Sequence, residues 1–269
     1  MLLDQRRLNV LQLVEKAGFI SLQELVDRVG VSESTVRRDL EFLDGIGQIR
    51  RTRGGAAFVG ESLSGLEERS SQHRVEKRAV AALAASLIQS GEVVLLDGGT
   101  TTLEVARRLG GRPLQVVTNS LPIINVLMNQ PQIELISIGG YVYPKTGVAL
   151  GPIAVAALKQ IHVRRLVMSV GGITEAGLFN SNLLLVETER QMIASAEEVI
   201  VVTDSSKFGH PALAHLCPLT AVQHVVVDAG LDPAWREVLE KSGIQVHLAP
   251  AGLGETSGDG AVPQSGAPV

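Results

Sequence analysis

The amino-acid sequence predicts an α/β protein of two units, an N-terminal winged helix-turn-helix domain and a C-terminal α/β domain built on a mostly parallel sheet. Three observations predict it. Helical periodicity fills the first 45 residues and runs into a basic, glycine-marked hairpin pattern. From residue 93 onward, short β-rich runs alternate with helical ones. The length of 269 residues amounts to about 1.8 domains at roughly 150 residues each.

Composition narrows the classes. With 45% hydrophobic and 19% charged residues, the chain has the makeup of a folded core rather than of a disordered polyelectrolyte. Its longest nearly unbroken apolar run, 79–88, is about half of a membrane span, and residues 1–4 have no secretory layout. A cytoplasmic protein without membrane association is expected. The single cysteine, Cys217, excludes an internal disulfide and a cysteine-rich zinc site. No metal or cofactor is indicated. The net charge of −4 divides into +1 over residues 1–58, nine basic against eight acidic, and −5 over the remainder, fifteen against twenty.

Each element of the first unit has a local cause. Over 6–17, Val10, Leu11, Val14 and Ala17 recur at spacings of three and four, and Gly18 closes the helix. Ser21 with Glu24 forms a capping-box pattern before the stripe Leu22, Leu25, Val26 and Val29, which Gly30 ends. Ser32 caps a third helix. There Val36, Leu40 and Leu43 share one face, so Ser34, Arg38 and Glu41 point the opposite way, flanked by Thr35 and Arg37. An exposed helix start bearing Ser, Thr and Arg suits the major groove of double-stranded DNA. Residues 48–58 read as a short hairpin with a Gly-Gly turn, whose Arg50, Arg51 and Arg53 would meet phosphates beside that groove. The plainer reading, solvated surface charge, accounts for a lone basic run but not for three helices ending in a basic hairpin.

The run Val31-Ser32-Glu33-Ser34-Thr35-Val36-Arg37-Arg38-Asp39-Leu40, followed by Leu43, Gly47 and Arg51-Thr52-Arg53-Gly54-Gly55-Ala56, resembles the DNA-binding region of the DeoR family of bacterial transcriptional regulators. The resemblance implies that the first run is a recognition helix and the second a wing. Arg53 stands where that family often has histidine.

Domain boundaries follow composition. Residues 1–58 form the DNA-binding domain, 59–76 a polar, exposed linker, 77–250 the α/β domain and 251–269 a Gly/Ser/Pro-rich tail expected to be disordered. In the α/β domain a first helix spans 77–89. Strands are expected at 93–96, 115–118, 133–138, 166–170, 199–203, 225–227 and 245–248, with helices at 103–109, 121–128, 155–161, 183–196 and 235–239. This alternation predicts βα units covered on both faces.

Ligands of open parallel sheets bind at the carboxyl ends of the strands. There the sequence places Asp97-Gly98-Gly99-Thr100-Thr101-Thr102, a glycine turn opening a helix that offers N–H groups and hydroxyls to a phosphate or else serves only as a capped turn. It is neither a Walker loop nor a dinucleotide fingerprint. Thr118-Asn119-Ser120, Gly139-Gly140 and Gly171-Gly172 fall at equivalent strand ends. Asp204 and Lys207, three apart, suit a sugar hydroxyl and a phosphate, or a surface ion pair. Glu187 and Arg190 either orient ligand groups or form a helical salt bridge. The six histidines are scattered and offer no compact catalytic set.

These second-half motifs, with Ile173 and Ser205-Ser206-Lys207-Phe208-Gly209, are similar in order to those of the DeoR effector domain. The resemblance implies a fold related to ribose-5-phosphate isomerase and glucosamine-6-phosphate deaminase, a phosphorylated sugar effector that lowers DNA affinity, and a repressor. It leaves residues 177–182 as a possible determinant of selectivity. A homodimer or homotetramer is expected, since one winged helix covers a half-site. The alternative is a sugar-phosphate isomerase or deaminase with an appended DNA-binding domain.

Overall fold

Apolar residues three and four apart wind the start of the chain into three helices in a computed structural model, which describes residues 3–17, 19–45, 49–52, 54–58 and 66–251. They are α1 (Leu3–Ala17), α2 (Leu22–Val29) and α3 (Glu33–Gly45). Val10, Val14, Leu25, Val29, Val36, Leu40 and Leu43 meet in one core with Ile20, Ile49 and Ala56. The expected capping box is present: Glu24 N–H donates to Ser21 Oγ at 3.2 Å, and Ser21 N–H to Glu24 Oε2 at 3.3 Å. Gly30 closes α2 in the left-handed region at φ +72°, which costs glycine nothing. Ser32 precedes α3 as expected, but its hydroxyl bonds those of Ser34 and Thr35, at 3.0 and 2.8 Å, while its carbonyl accepts Val36 N–H at 3.1 Å.

The wing differs from its sequence reading. Strands β2 (Ile49–Thr52) and β3 (Gly55–Phe58) pair antiparallel, and β1 (Phe19–Ser21), too short to show a period, joins the far edge of β3. The Gly-Gly turn moves by one residue, because Gly55 already pairs with both Thr52 and Ser21. A Cβ at Gly55 would lie 2.1 Å from the Ile20 carbonyl oxygen, so this close approach of strands requires glycine.

Asp39 ties the helices together. Its side chain is 1% exposed and accepts from Arg6 Nε at 2.6 Å, Arg6 Nη2 at 3.1 Å and Arg7 Nε at 3.4 Å, clamping α3 onto α1. Arg7 also stacks over the Phe42 ring at 3.7 Å.

In the second unit, α4 (Leu66–Ser71) occupies residues expected as exposed linker, α5 (Arg74–Leu87) is the helix expected at 77–89 begun three residues earlier, and Leu66 packs into the core beneath them. The polar stretch concealed α4 because few of its residues are apolar. Seven strands follow in one sheet: β4 (Val93–Leu96), β5 (Leu114–Thr118), β6 (Ile133–Ser137), β9 (Val163–Met168), β12 (Ala196–Val202), β14 (His224–Asp228) and β15 (Gln245–Ala249). Every pair is parallel, in the order β15-β14-β12-β9-β4-β5-β6. Alternate residues feed opposite cores: Leu95, Leu166, Val201 and Val225 face one, Leu96, Val167, Val202 and Val226 the other.

α5, α6 (Thr100–Ala106) and α7 (Leu121–Leu127) cover one face, while α8 (Pro152–Leu158), α9 (Leu183–Ala194) and α10 (Pro233–Lys241) cover the other. The chain grows outward from β4 toward β6, then returns to β9 and grows the opposite way. Crossovers of one hand therefore place their helices on opposite faces and part at β4 and β9. Two small antiparallel sheets were not expected, β7 (Tyr141–Tyr143) with β8 (Val148–Leu150), and β10 (Gly172–Thr174), β11 (Gly177–Asn180) and β13 (Ala214–Cys217). No helix of the described residues is long and apolar enough to cross a membrane. The tail 252–269 lies outside the described residues.

Asp39→Ala is expected to destabilise the N-terminal unit by more than the ~1 kcal/mol of an exposed ion pair. Urea denaturation of the full chain reads this as a lower midpoint of the N-terminal transition. An unchanged midpoint would show the clamp to be dispensable.

Candidate functional site

On α3 the core takes Val36, Leu40 and Leu43, so the opposite face presents Ser34, Arg37 and Arg38 to solvent, with Thr35 half-buried at the helix start. Arg37 pairs with Glu33 one turn back, at 2.7 Å, with both side chains more than half exposed. Such a pair is weak and readily exchanged for a phosphate. Arg38 is exposed and makes no hydrogen bond or ion pair among the described residues. On the wing, Arg51 reaches Glu41 of α3 at 3.2 Å, and its N–H donates to Asp44 at 3.2 Å, which fixes β2 against the end of α3. Arg53 and the side chain of Arg50 lie outside what is described.

The parting of the chain between β4 and β9 opens a crevice at the carboxyl ends of the strands. Its walls are Arg69 of α4, Lys77 of α5, Thr100 and Thr101 of α6, Ser169-Val170 after β9, and Val202, Thr203, Asp204 and Lys207 at the end of β12. Local chemistry builds each wall. Gly98 and Gly99 let the β4 loop pass close by, since a Cβ on Gly98 would lie 1.9 Å from Val148 Cγ1 and one on Gly99 1.7 Å from Ser169 Oγ. Thr102 Oγ1 accepts Gly99 N–H at 2.7 Å and donates to Gly99 O at 2.8 Å, so it caps α6 rather than facing the crevice.

Asp204 caps a 3₁₀ turn, Ser205–Lys207, through the N–H of Ser206 at 3.1 Å, and also accepts from the Ser206 hydroxyl. Asp228 of β14 holds the same turn, accepting Ser205 N–H at 2.6 Å and Ser205 Oγ at 2.9 Å. These bonds present Lys207 to the crevice. Lys77, only 3% exposed, donates from Nζ to the Arg69 carbonyl at 2.6 Å and so latches α5 to α4.

Behind Arg69 stand two buried carboxyl groups. Asp97, 3% exposed, accepts Ser169 N–H at 3.5 Å. Burial pushes its pKa up to about 6, against the opposing pull of the Gly98 and Ser169 N–H groups and the Arg69 guanidinium. Glu189, 1% exposed, is pushed well above the usual carboxylate range, first by burial and then by the Asp97 charge. Asn180 Nδ2 donates to it at 2.7 Å. Glu189 thus retains a proton to higher pH than it would without Asp97 beside it. Asp97 Oδ1, Asn119 Oδ1 and Glu189 Oε2 are buried without a hydrogen-bond partner among the described residues.

Other expected residues make contacts within the fold. Thr118 Oγ1 donates to Leu96 O at 2.8 Å, Asn119 Nδ2 donates to Ala149 O at 2.9 Å, and Ser120 caps α7. A Cβ on Gly140 would strike the Leu150 carbonyl at 2.7 Å, and one on Gly172 the His210 carbonyl at 2.1 Å; neither these glycines nor Gly139 and Gly171 line the crevice. Glu187 is exposed and forms no bridge with Arg190, whose guanidinium instead donates to the Leu216 and His215 carbonyls at 2.9 and 2.7 Å and pins α9 to β13. The buried carboxyl of α9 is Glu189, two residues further along the helix.

Two signals in the sequence pointed there. Glu189 falls between Val186 and Met192 on the buried stripe, and Lys77 shares the buried face of α5 with Val80, Ala81 and Ala84. A charge in an apolar register asks for a partner. Among the histidines, His224 and His247 stand side by side at 3.2 Å on neighbouring strands, a pairing that chain positions did not reveal. Cys217 is a neutral thiol, since burial pushes its pKa up to about 11.

An arginine-bearing helix on a winged helix-turn-helix, joined to a parallel sheet with a polar crevice at its switch point, defines a DNA-binding regulator with its own sensor domain. The DeoR-like helix-turn-helix domain matches residues 6–62, and the DeoR C terminal sensor domain matches residues 72–229; the chain belongs to the DeoR family of transcriptional regulators. It is 33% identical over 253 residues to the uncharacterized HTH-type transcriptional regulator YulB of Bacillus subtilis strain 168, covering 93% of this chain and 98% of that one. It is 32% identical over 251 residues to the "Putative aga operon transcriptional repressor" of Escherichia coli O157:H7, covering 91% and 93%. Among solved structures, ribose 5-phosphate isomerase A from Methanocaldococcus jannaschii aligns over 49% of this chain and 53% of its own, at a TM-score of 0.36 and 20% identity.

The raised pKa of Asp97 has a consequence for stability. Between the ordinary value of 3.8 and about 6, the folded chain keeps a proton that the unfolded chain has released, so stability falls as pH rises through that window. Asp97→Asn is expected to flatten this part of a melting-temperature profile. Parallel profiles for the two proteins would remove Asp97 as the cause.

Proposed function

We propose that this regulator represses sugar or carbohydrate metabolism genes, and that a phosphorylated sugar bound at the strand ends loosens its hold on a DNA operator. One observation carries the reading: Lys207 and the Thr100 and Thr101 hydroxyls line a single crevice at the switch point, beside Asp204. An ammonium and hydroxyls suit a phosphate, and a carboxylate suits a sugar hydroxyl. The name of the aga operon relative, a repressor, supports the sign of regulation. Ser32, Ser34, Thr35, Arg37 and Arg38 read the operator, and Arg50, Arg51 and Arg53 hold its backbone. The protein works in the cytoplasm as a homodimer or homotetramer, because a repeated operator needs two copies of the reading helix.

A second reading draws on the Asp97 and Glu189 pair, since perturbed carboxyls mark many active sites. An isomerase or deaminase would use one as acid and the other as base. Neither lines the crevice, which favours the sensor. Incubation with hexose and pentose phosphates followed by NMR is expected to return them unchanged, and accumulation of an isomer or of ammonia would replace the repressor reading with the enzyme one.

Arg38→Ala is expected to weaken operator binding by about 1–3 kcal/mol and to relax base preference at one position, measured by fluorescence anisotropy. Equal affinity for matched and altered operators in both proteins would dismiss Arg38 as a reader. Arg51→Ala should lower the slope of log affinity against log salt by about one phosphate contact, at which point its Glu41 pair has been exchanged for DNA. Lys207→Ala should keep operator affinity yet lose release by sugar phosphate; normal release would refute the assignment of the phosphate to that turn.

A further inference from the structure

The two ends of the large sheet differ in charge. At the β15 end, α10 carries exposed ion pairs along its outer face, Arg236 with Glu240 at 2.7 Å and Lys241 with Glu237 at 3.4 Å. Such a face suits water. At the β6 end, α7 takes the corresponding place with no charged residue in its sequence, and Leu121 and Met128, seven residues apart on one stripe, are exposed. The neutrality extends well beyond this helix. From residue 113 to residue 158 only Glu134 and Lys145 are charged, against 19% for the whole chain. Depletion of charge is a mark of interface cores, not of free surface.

Among the described residues, this end also has an uncovered sheet face. On one side of β6, α7 packs through Ile123 and Leu127 against Ile133. On the other, Val117 of β5 is buried, yet its register partner Ile136 is exposed, as is Glu134. The chain runs on into the β7–β8 hairpin, where Tyr141 and Val142 face solvent, and into α8, where Ile153 does. Gly140 sets the hairpin against α8, since a Cβ there would lie 3.2 Å from Ala154 Cβ. A parallel sheet is ordinarily buried on both faces, so a single chain leaves β6 half covered.

We propose that a second copy of this chain docks on the β6 end of the sheet, sensor domain against sensor domain, and buries Ile136, Tyr141, Val142 and Ile153 about a two-fold axis. Charge selects this occupant. On a two-fold patch the same surface meets itself, so a face rich in one sign of charge repels its copy, whereas a neutral one with a single acid and a single base does not. A partner recognised by its charge would find little to hold here. An interface of about 20–30 residues a side fits within residues 113–158. The proposal rests on the reading that two copies share an operator, and it adds where they meet.

Sedimentation velocity of the full chain over a concentration series tests it. Ile136→Lys is expected to halve the mass of the assembly, with a dissociation constant raised by about tenfold or more. Leu248→Lys, at a similarly exposed apolar position on the β15 edge, should leave the mass whole. Should Ile136→Lys fail to fold, Ile153→Lys on α8, where the side chain is 69% exposed, carries the same expectation. Unchanged mass in both β6-end variants, or an equal loss in Leu248→Lys, overturns the proposal and leaves the shared-operator reading standing. A parent chain that stays single at every concentration overturns both and leaves the patch to a different protein.

Discussion

The constraint on which the sensor domain depends is that a parallel sheet must be covered on both faces by crossovers of a single hand. One continuous direction of growth would cover only one face. The chain satisfies the requirement by reversing direction between β4 and β9. That reversal parts two neighbouring loops and leaves a crevice at the carboxyl ends of the strands. The site is thus a by-product of covering the sheet, and the glycines at 98 and 99 are its local condition, because any larger residue would push the loop out of contact with Val148 and Ser169.

Electrostatics then differentiates the crevice from the rest of the interior. Elsewhere the two cores are apolar, built mostly from alternating valines, leucines and isoleucines. At the switch point, Asp97, Glu189 and Asn119 are buried with polar atoms left unmatched among the described residues, and Lys77 is buried against the backbone of Arg69. Such groups lower stability wherever they are incompletely compensated. Their concentration at one end of one pair of strands sets this end of the sheet apart from the rest of the interior.

Much of this was legible in residue order. Seven strands, their parallel arrangement and the crevice residues Thr100, Thr101, Asp204 and Lys207 follow from alternation and from the rule that ligands sit at strand ends. So do the three N-terminal helices and their core, because each carries an apolar stripe and turn signals at its ends. Strands of three or four residues, such as β1 and β7, were hidden since so short a span shows no period. Glu187 and Glu189 could not be told apart by charge alone; only the register of Val186 and Met192 separates the solvent-facing carboxylate from the buried one. Arg69 was hidden for another reason, in that a polar segment reads as a connection until the fold brings it against a site.

The ion pair between Asp39 and the two arginines of α1 divides one short run of residues into separate duties. Arg38 faces outward while its neighbour Asp39 is sealed against α1. The outward side chain of Arg38 therefore takes no part in the clamp that seats the helix. The outward residues could be exchanged without touching the internal clamp, which leaves the seating of α3 on α1 as a fixed chassis beneath a changeable face.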